Sequence, residues 1–207
     1  MKIREQNQTE MLSEQYLLRR NQVYIFGPIE TGMAAHIIPQ MHFIDQMMRD
    51  GDVPPEERIM TLLIDSPGGS VSDGLAIYDT INSVSCEVRT ICVGLAASMG
   101  AFLLSSGSRG MRFALPNSEI LIHQPLGGAQ GQASDVIIAA RHIEHTRKRL
   151  NSILSMNTGK TVEEIAADTD RDYTMTAKEA KEYGLIDEVL MPERIKAAAV
   201  KPKGGTK

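Results

Sequence analysis

Apolar runs of strand length alternate along the chain with stretches in which apolar residues recur every three or four positions. Val23-Tyr24-Ile25-Phe26 is closed by Gly27-Pro28 and reads as a strand. Ala34 to Arg49 carries Ile37, Met41, Ile44 and Met48 at helical spacing, with Pro39 inside the pattern as a kink or a late helix start. After the short loop Gly51-Asp52-Val53-Pro54-Pro55, Ile59 to Asp65 is a buried-strand pattern ending at Ser66-Pro67-Gly68-Gly69-Ser70. A helix follows with Ile77, Tyr78 and Ile81 on one face. Val88 to Val93 is the next strand and Ser98 to Ser105 the next helix. Two more strands are predicted near Met111 to Leu115 and Glu119 to His123.

The second half changes character. Leu126-Gly127-Gly128-Ala129-Gln130-Gly131 is a glycine-rich loop. Beyond it, Gln132 to Met156 is one helical pattern, with Val136, Ala140, Ile143, Leu150 and Leu154 on a single stripe. At 1.5 Å per residue this helix is about 35 Å long, long for a domain of this size, so part of it is expected to pack on another subunit. Thr161-Val162-Glu163-Glu164 and Thr176-Ala177-Lys178-Glu179 each fit a capping box. Gly184 closes the second short helix, and Leu185 to Leu190 supplies a last strand. Strands alternating with helices make the class α/β. The expected layout is a polar segment 1–15, one domain over 16–193 and a flexible tail 194–207.

Composition narrows the partners. The 207 residues are 42% apolar and 23% charged, with a net charge of −4, so no basic field points to nucleic acid or an anionic membrane. No apolar run reaches the roughly 18 residues that span a bilayer. Met1 to Gln15 lacks the apolar core of a signal peptide, which predicts a cytoplasmic protein. Cys86 and Cys92 are too few for a disulfide framework or a zinc site and read as reduced thiols. His142 and His145 lie on a solvated helix face rather than at a metal. The methionines at 41, 47 and 48 read as core or interface packing.

The candidate chemistry centres on Gly94-Leu95-Ala96-Ala97-Ser98-Met99-Gly100-Ala101-Phe102. One serine stands between small residues, directly after an apolar strand and at the start of an apolar helix. Free N–H groups and the positive end of the helix dipole stabilise negative charge there. Downstream, Ile122-His123-Gln124-Pro125 offers a base at a strand end, and Asp170-Arg171-Asp172-Tyr173 an acid. Serine attack needs a base, an orienter for that base and donors for the oxyanion. Ser98 is the candidate nucleophile, with His123 as the base and Asp172 as its orienter. The N–H of Met99 and one from the Pro67-Gly68-Gly69 turn fit the last. The order Ser…His…Asp differs from that of the α/β-hydrolases, chymotrypsin and subtilisin, and the first glycine of a G-x-S-x-G elbow is missing. Each piece also has a plain structural reading: a tight turn, a hydrogen-bonded histidine, a capping acid.

Together the motifs strongly resemble the Clp protease proteolytic subunit, the peptidase partner of ring-shaped AAA+ unfoldases. The resemblance rests on Asp65-Ser66-Pro67-Gly68-Gly69, Ala96-Ala97-Ser98-Met99-Gly100-Ala101-Phe102-Leu103-Leu104 and Leu115-Pro116-Asn117-Ser118. It continues through Ile122-His123-Gln124-Pro125-Leu126-Gly127-Gly128, Gly131-Gln132-Ala133, Asp168-Thr169-Asp170-Arg171-Asp172 and Ala180-Lys181-Glu182-Tyr183-Gly184-Leu185-Ile186-Asp187.

The resemblance implies a crotonase-like ββα superhelix with a head and a protruding handle at about 125–158. It maps Ser98, His123 and Asp172 onto nucleophile, base and acid, and Gly69 and Met99 onto the oxyanion donors. Gly68, Pro125, Leu126, Gly127 and Gly128 would line the bound peptide. Gln132, Asp170 and Arg171 would meet an opposed ring. Two stacked heptameric rings, or mixed rings with a sister isoform, would enclose the serines. An unfoldase such as ClpX, ClpA or ClpC would feed them unfolded protein. No cofactor is implied in this chain, since the partner uses the ATP.

The chain also departs from the family pattern. Met1 to Gln15 does not read as the usual axial segment. Thr61 and Leu63 stand where an edge strand usually offers tyrosines for docking, and Ile137 and Ile138 where a charge is often found. Two other readings follow, a catalytically silent or partner-dependent ring subunit and a crotonase-type acyl-CoA enzyme.

Overall fold

The computed structural model describes residues 17–128 and 130–191. The segment 1–15, Tyr16, Ala129 and the tail 194–207 lie outside the described residues. A mixed α/β architecture forms around one sheet, with strands β1 Gln22–Phe26, β2 Ile59–Ser66, β3 Glu87–Ala97, β4 Arg112–Ala114, β5 Glu119–Ile122, β6 Tyr173–Thr176 and β7 Glu188–Val189. Helices α1 Thr31–Asp50, α2 Val71–Ser83 and α3 Met99–Ser105 alternate with the first strands. α4 Ala133–Thr158, α5 Val162–Asp168 and α6 Ala177–Tyr183 follow β5.

The path β1-β2-β3-β4-β7 is parallel throughout. β3 is long enough to serve two neighbours on one side. Its first part pairs with β4 (Thr90 to Cys92 against Arg112 to Ala114), and its last part pairs with β5 (Leu95 to Ala97 against Glu119 to Leu121). β6 then adds antiparallel to β5, with Ile122 opposite Tyr173.

Burial explains the elements. Met60, Leu62 and Ile64 of β2 are fully buried, and Ile37, Met41, Ile44 and Met48 of α1 pack against the sheet. Removing side chains of this size from water stabilises by about 1.5–3 kcal/mol each. Asp45 is also buried, but its carboxylate accepts from the N–H groups of Ser85 and Cys86 and from the Ser85 hydroxyl, and it pairs with Arg49. That carboxylate ties α1 to the start of β3. Burial, reinforced by Asp45, pushes the Cys86 thiol up to about 12. Burial likewise raises Cys92.

Several expectations need correction. α1 begins at Thr31 and runs through Pro39. Pro39 and Ala35 lie on the exposed face, where water can satisfy the carbonyl that loses its helical donor. β3 runs on to Ala97 rather than stopping at Val93, because Leu95 to Ala97 find a partner in β5. The last strand shrinks to Glu188–Val189, since Leu185 and Ile186 are buried in the turn before it. Met41 and Met48 are core, whereas Met47 is exposed. The stripe on α4 is covered at Leu150 and Leu154 but open at Val136 and Ala140. Thr61 and Leu63 sit on β2, between β1 and β3, not on an edge. Both predicted capping boxes form.

Candidate active site

β3 delivers Ser98 to a sharp corner, and α3 starts at the next residue. Ser98 adopts φ +55° and ψ −120°, a conformation that costs a non-glycine residue about 1–3 kcal/mol and persists only where its surroundings hold it. The surroundings do so. The Ser98 N–H donates to the Leu121 carbonyl at 2.8 Å, its carbonyl accepts from Phe102 at 3.0 Å, and every residue of α3 is buried.

The turn from β2 into α2 packs directly on this corner. Gly68 has φ +88°, and a Cβ there would lie 2.6 Å from Ser98 Cβ and 2.9 Å from the Met99 nitrogen. Gly69 has φ +151°, and a Cβ there would collide with the backbone of Ile29. The turn is pinned on both sides. Ile29 N–H donates to the Gly68 carbonyl, and Ser70 N–H donates to the Ile29 carbonyl. The Ser66 hydroxyl donates to the Gly27 carbonyl at 2.7 Å and accepts from Gly68 N–H at 3.1 Å. Among the described residues, neither the Gly69 nor the Met99 N–H donates to another group. Sequence reasoning saw the glycines but missed Ser66 and Ile29 as the ties that hold them.

His123 follows β5 and Asp172 precedes β6. Because Ile122 pairs with Tyr173 in an antiparallel ladder, the next positions along, 123 and 172, face each other. His123 Nδ1 lies 2.9 Å from Asp172 Oδ1. A carboxylate can only accept, so Nδ1 carries the proton, and in the neutral imidazole Nε2 is then the acceptor. The His123 side chain is 18% exposed and that of Asp172 is 71% exposed. Gln124 secures the pair. Its N–H donates to the Thr169 carbonyl at 2.6 Å and its side-chain amide to the Asp170 carbonyl at 2.9 Å. The Tyr183 hydroxyl donates to Asp168 at 2.8 Å, and burial together with that carboxylate raises its pKa.

Ser98 and His123 line one small cavity of about 20 Å³, floored by Phe102, Leu150 and Leu154. No hydrogen bond joins the two side chains among the described residues. A serine at a strained corner, sharing one cavity with a carboxylate-bound histidine and adjoining the Met99 N–H and the Gly68–Gly69 turn, has the kinds of group that acyl transfer to a hydroxyl needs. A family model described as Clp protease matches residues 4–193.

The chain belongs to the Clp protease family.

Members of this family are serine peptidases, hydrolases that cut peptide bonds, and the mixed α/β architecture agrees with the Clp protease fold. In this Clp protease chain the remaining candidates are spread around the site. Pro125 and Leu126 wall a groove beside Ser98, and Leu126 is 83% exposed. Gly127 lets the loop lie on α4, since a Cβ there would meet Ile143 Cδ1 at 2.7 Å. Gly128 faces open space. Asp170 and Arg171 form a loose exposed pair with each other at 3.8 Å. Gln132 caps α4 through its backbone, away from Ser98 in sequence and in hydrogen bonding. Among the described residues no group of His, Cys, Asp and Glu is placed to hold a metal. No described helix is long and apolar enough to cross a membrane.

Proposed function

We propose that this chain is the proteolytic subunit of an ATP-dependent Clp protease, cutting unfolded polypeptides with Ser98, His123 and Asp172. The observation that carries the reading is the strained Ser98 corner beside the 2.9 Å His123–Asp172 pair. Ser98 Oγ attacks the scissile carbonyl carbon as His123 Nε2 takes its proton. The Gly69 and Met99 N–H groups receive the developing oxyanion. Collapse breaks the C–N bond, and the leaving amine takes the proton from His123. A water, deprotonated by the same histidine, then hydrolyses the acyl ester. Asp172 holds the imidazole in the tautomer this cycle needs.

The exposed start of α4 is our candidate handle. Val136, Ile137 and Ile138 are 40%, 52% and 64% exposed, as expected of a helix that meets an opposed ring. In this reading two heptameric rings, homomeric or mixed with a sister isoform, enclose the serines in the cytoplasm. A ring-shaped AAA+ unfoldase spends ATP to feed them, and the peptidase needs no cofactor of its own. Asp170 and Arg171 lie next to Asp172 in sequence, so ring contact there would align His123 toward Ser98.

The test is peptide hydrolysis by the purified chain, with its mass in solution. Ser98→Ala is expected to lower kcat by about 10⁶-fold, the scale seen when a serine nucleophile is removed. Fluorophosphonate labelling of the wild type is expected at Ser98. Arg171→Ala is expected to give single rings of low activity. Single rings with full activity would break the coupling between stacking and alignment.

A further inference from the structure

The groove beside Ser98 holds about 400 Å³ and shares Val71 and Pro125 with the cavity that contains the serine, so the two are continuous. Its walls are apolar: Val71, Leu75, Leu126 and Ile143. Its polar lining is Ser72, His142, Thr146 and Arg149, and no carboxylate is present. A groove of this kind has donors and a permanent positive charge but no anion of its own.

Arg149 is the decisive residue. Its guanidinium carries five N–H donors, of which one reaches His145 Nε2 at a long 3.4 Å. Among the described residues it has no acidic partner. The nearby acid of α4, Glu144, is occupied by Arg147 at 2.9 Å and Lys148 at 3.5 Å. Those two basic groups hold the Glu144 carboxyl below its usual range. Arg149 therefore lines a peptide-sized groove with its charge uncompensated.

We propose that this groove is a subsite for an acidic side chain flanking the scissile bond, selected by Arg149. The inference rests on the peptidase reading above and adds a preference to it. The apolar walls cover the methylenes of a glutamate or aspartate, while the guanidinium meets the carboxylate as a fork. Arg149 acts on substrate choice and takes no part in the chemistry at Ser98.

The experiment is a library of internally quenched peptides digested by wild type, Arg149→Gln and Arg149→Lys, with cut sites read by mass spectrometry. Wild type is expected to enrich Asp and Glu next to the cut by about fivefold at low salt, the scale of one partly exposed charge pair. Arg149→Gln is expected to abolish the enrichment, and Arg149→Lys to keep part of it. The ratio of kcat/KM for an acidic peptide to that for its neutral counterpart is expected to fall toward one in Arg149→Gln and to stay above one in Arg149→Lys. Raising salt is expected to erase the wild-type preference, because exposed charges are screened over about 3 Å at 1 M. Equal enrichment in wild type and Arg149→Gln overturns the proposal, as does cleavage of neutral peptides with no acidic preference. Failure of wild type to cut any peptide or take the fluorophosphonate label overturns the peptidase reading, and the subsite with it.

Discussion

Ser98 and Asp172 sit in contrasting surroundings, although the proposed mechanism needs both. Behind Ser98 every side chain of α3 is buried, and the turn at Gly68 and Gly69 presses against it from the front. Asp172 leaves 71% of its side chain in water and stands beside a loose, solvent-facing Asp170–Arg171 pair. The nucleophile's conformation is therefore fixed by the chain's own core. The acid's position is fixed by a two-strand ladder and a few hydrogen bonds at the molecular surface. A contact from outside the chain can reach the second without disturbing the first. In the proposed assembly, regulation would act on the acid side.

The sharpest way to break this contrast is Asp172→Asn. Loss of the anion that orients His123 is expected to lower kcat by about 10⁴-fold. Because the residue is exposed, stability should stay within about 0.5 kcal/mol of wild type. Steady-state kinetics and urea unfolding check the two halves of that statement. A small loss of kcat would show that something else orients the imidazole.

Next in size is the buried clamp that ties β4 to the end of α4 and to the turn before β7. Arg112 is 5% exposed and pairs with Asp187 at 2.6 and 3.0 Å, while also donating to the carbonyls of Asn157 and Gly184. Burial alone would raise the Asp187 pKa, but the Arg112 hydrogen bonds and charge outweigh it and hold the carboxyl below its ordinary 3.8. The stability it contributes is thus present above the unfolded value and lost as pH falls through the folded one. Asp187→Asn should cost about 3–5 kcal/mol at pH 7, since it strands a buried guanidinium. The gap from wild type should narrow as pH drops below 3.8 toward the folded pKa. A gap independent of pH would mean that the charge is not what matters.

The smallest expected effect tests the rigid side. Gly68→Ala puts a methyl 2.6 Å from Ser98 Cβ and 2.9 Å from the Met99 nitrogen. Displacing that donor should lower kcat by about 10²–10³-fold, or about 2.7–4 kcal/mol. Unchanged kcat would show that the Met99 N–H takes no part in catalysis.

Much of the fold was legible because its code is local. Alternation of apolar runs with helical spacing gave the strands β1 and β2 and the helices α1 to α4, and the capping boxes at Thr161 and Thr176 formed as the sequence pattern requires. Gly94 to Ala97 misled because small residues resemble a loop until a partner strand is known. β6 was invisible for a similar reason. Of Tyr173 to Thr176 only Met175 is buried, so the segment has no strand signature apart from its pairing with β5. At the site, residue types were readable from motifs, but the ties from Ser66 to Gly27 and from Ile29 to Gly68 join segments far apart in sequence. The uncompensated charge of Arg149 depends on which neighbours its helix has already satisfied, which no spacing rule reports.

The ladder between β5 and β6 has one more consequence. Asp172 comes 49 residues after His123, yet their spacing is measured across two paired strands and not along the chain between them. The exposed start of the excursion that leaves after β5 and returns before β6 is in that sense an attachment on a fixed ruler, while its later part, with Leu150, Leu154 and Ile165, is built into the core. Whole helical turns added to or taken from its exposed start, near Val136 to Ala140, would change how far the arm reaches while leaving the imidazole and carboxylate in register. The length of that arm can thus change over many turns while the distance between His123 and Asp172 stays the same.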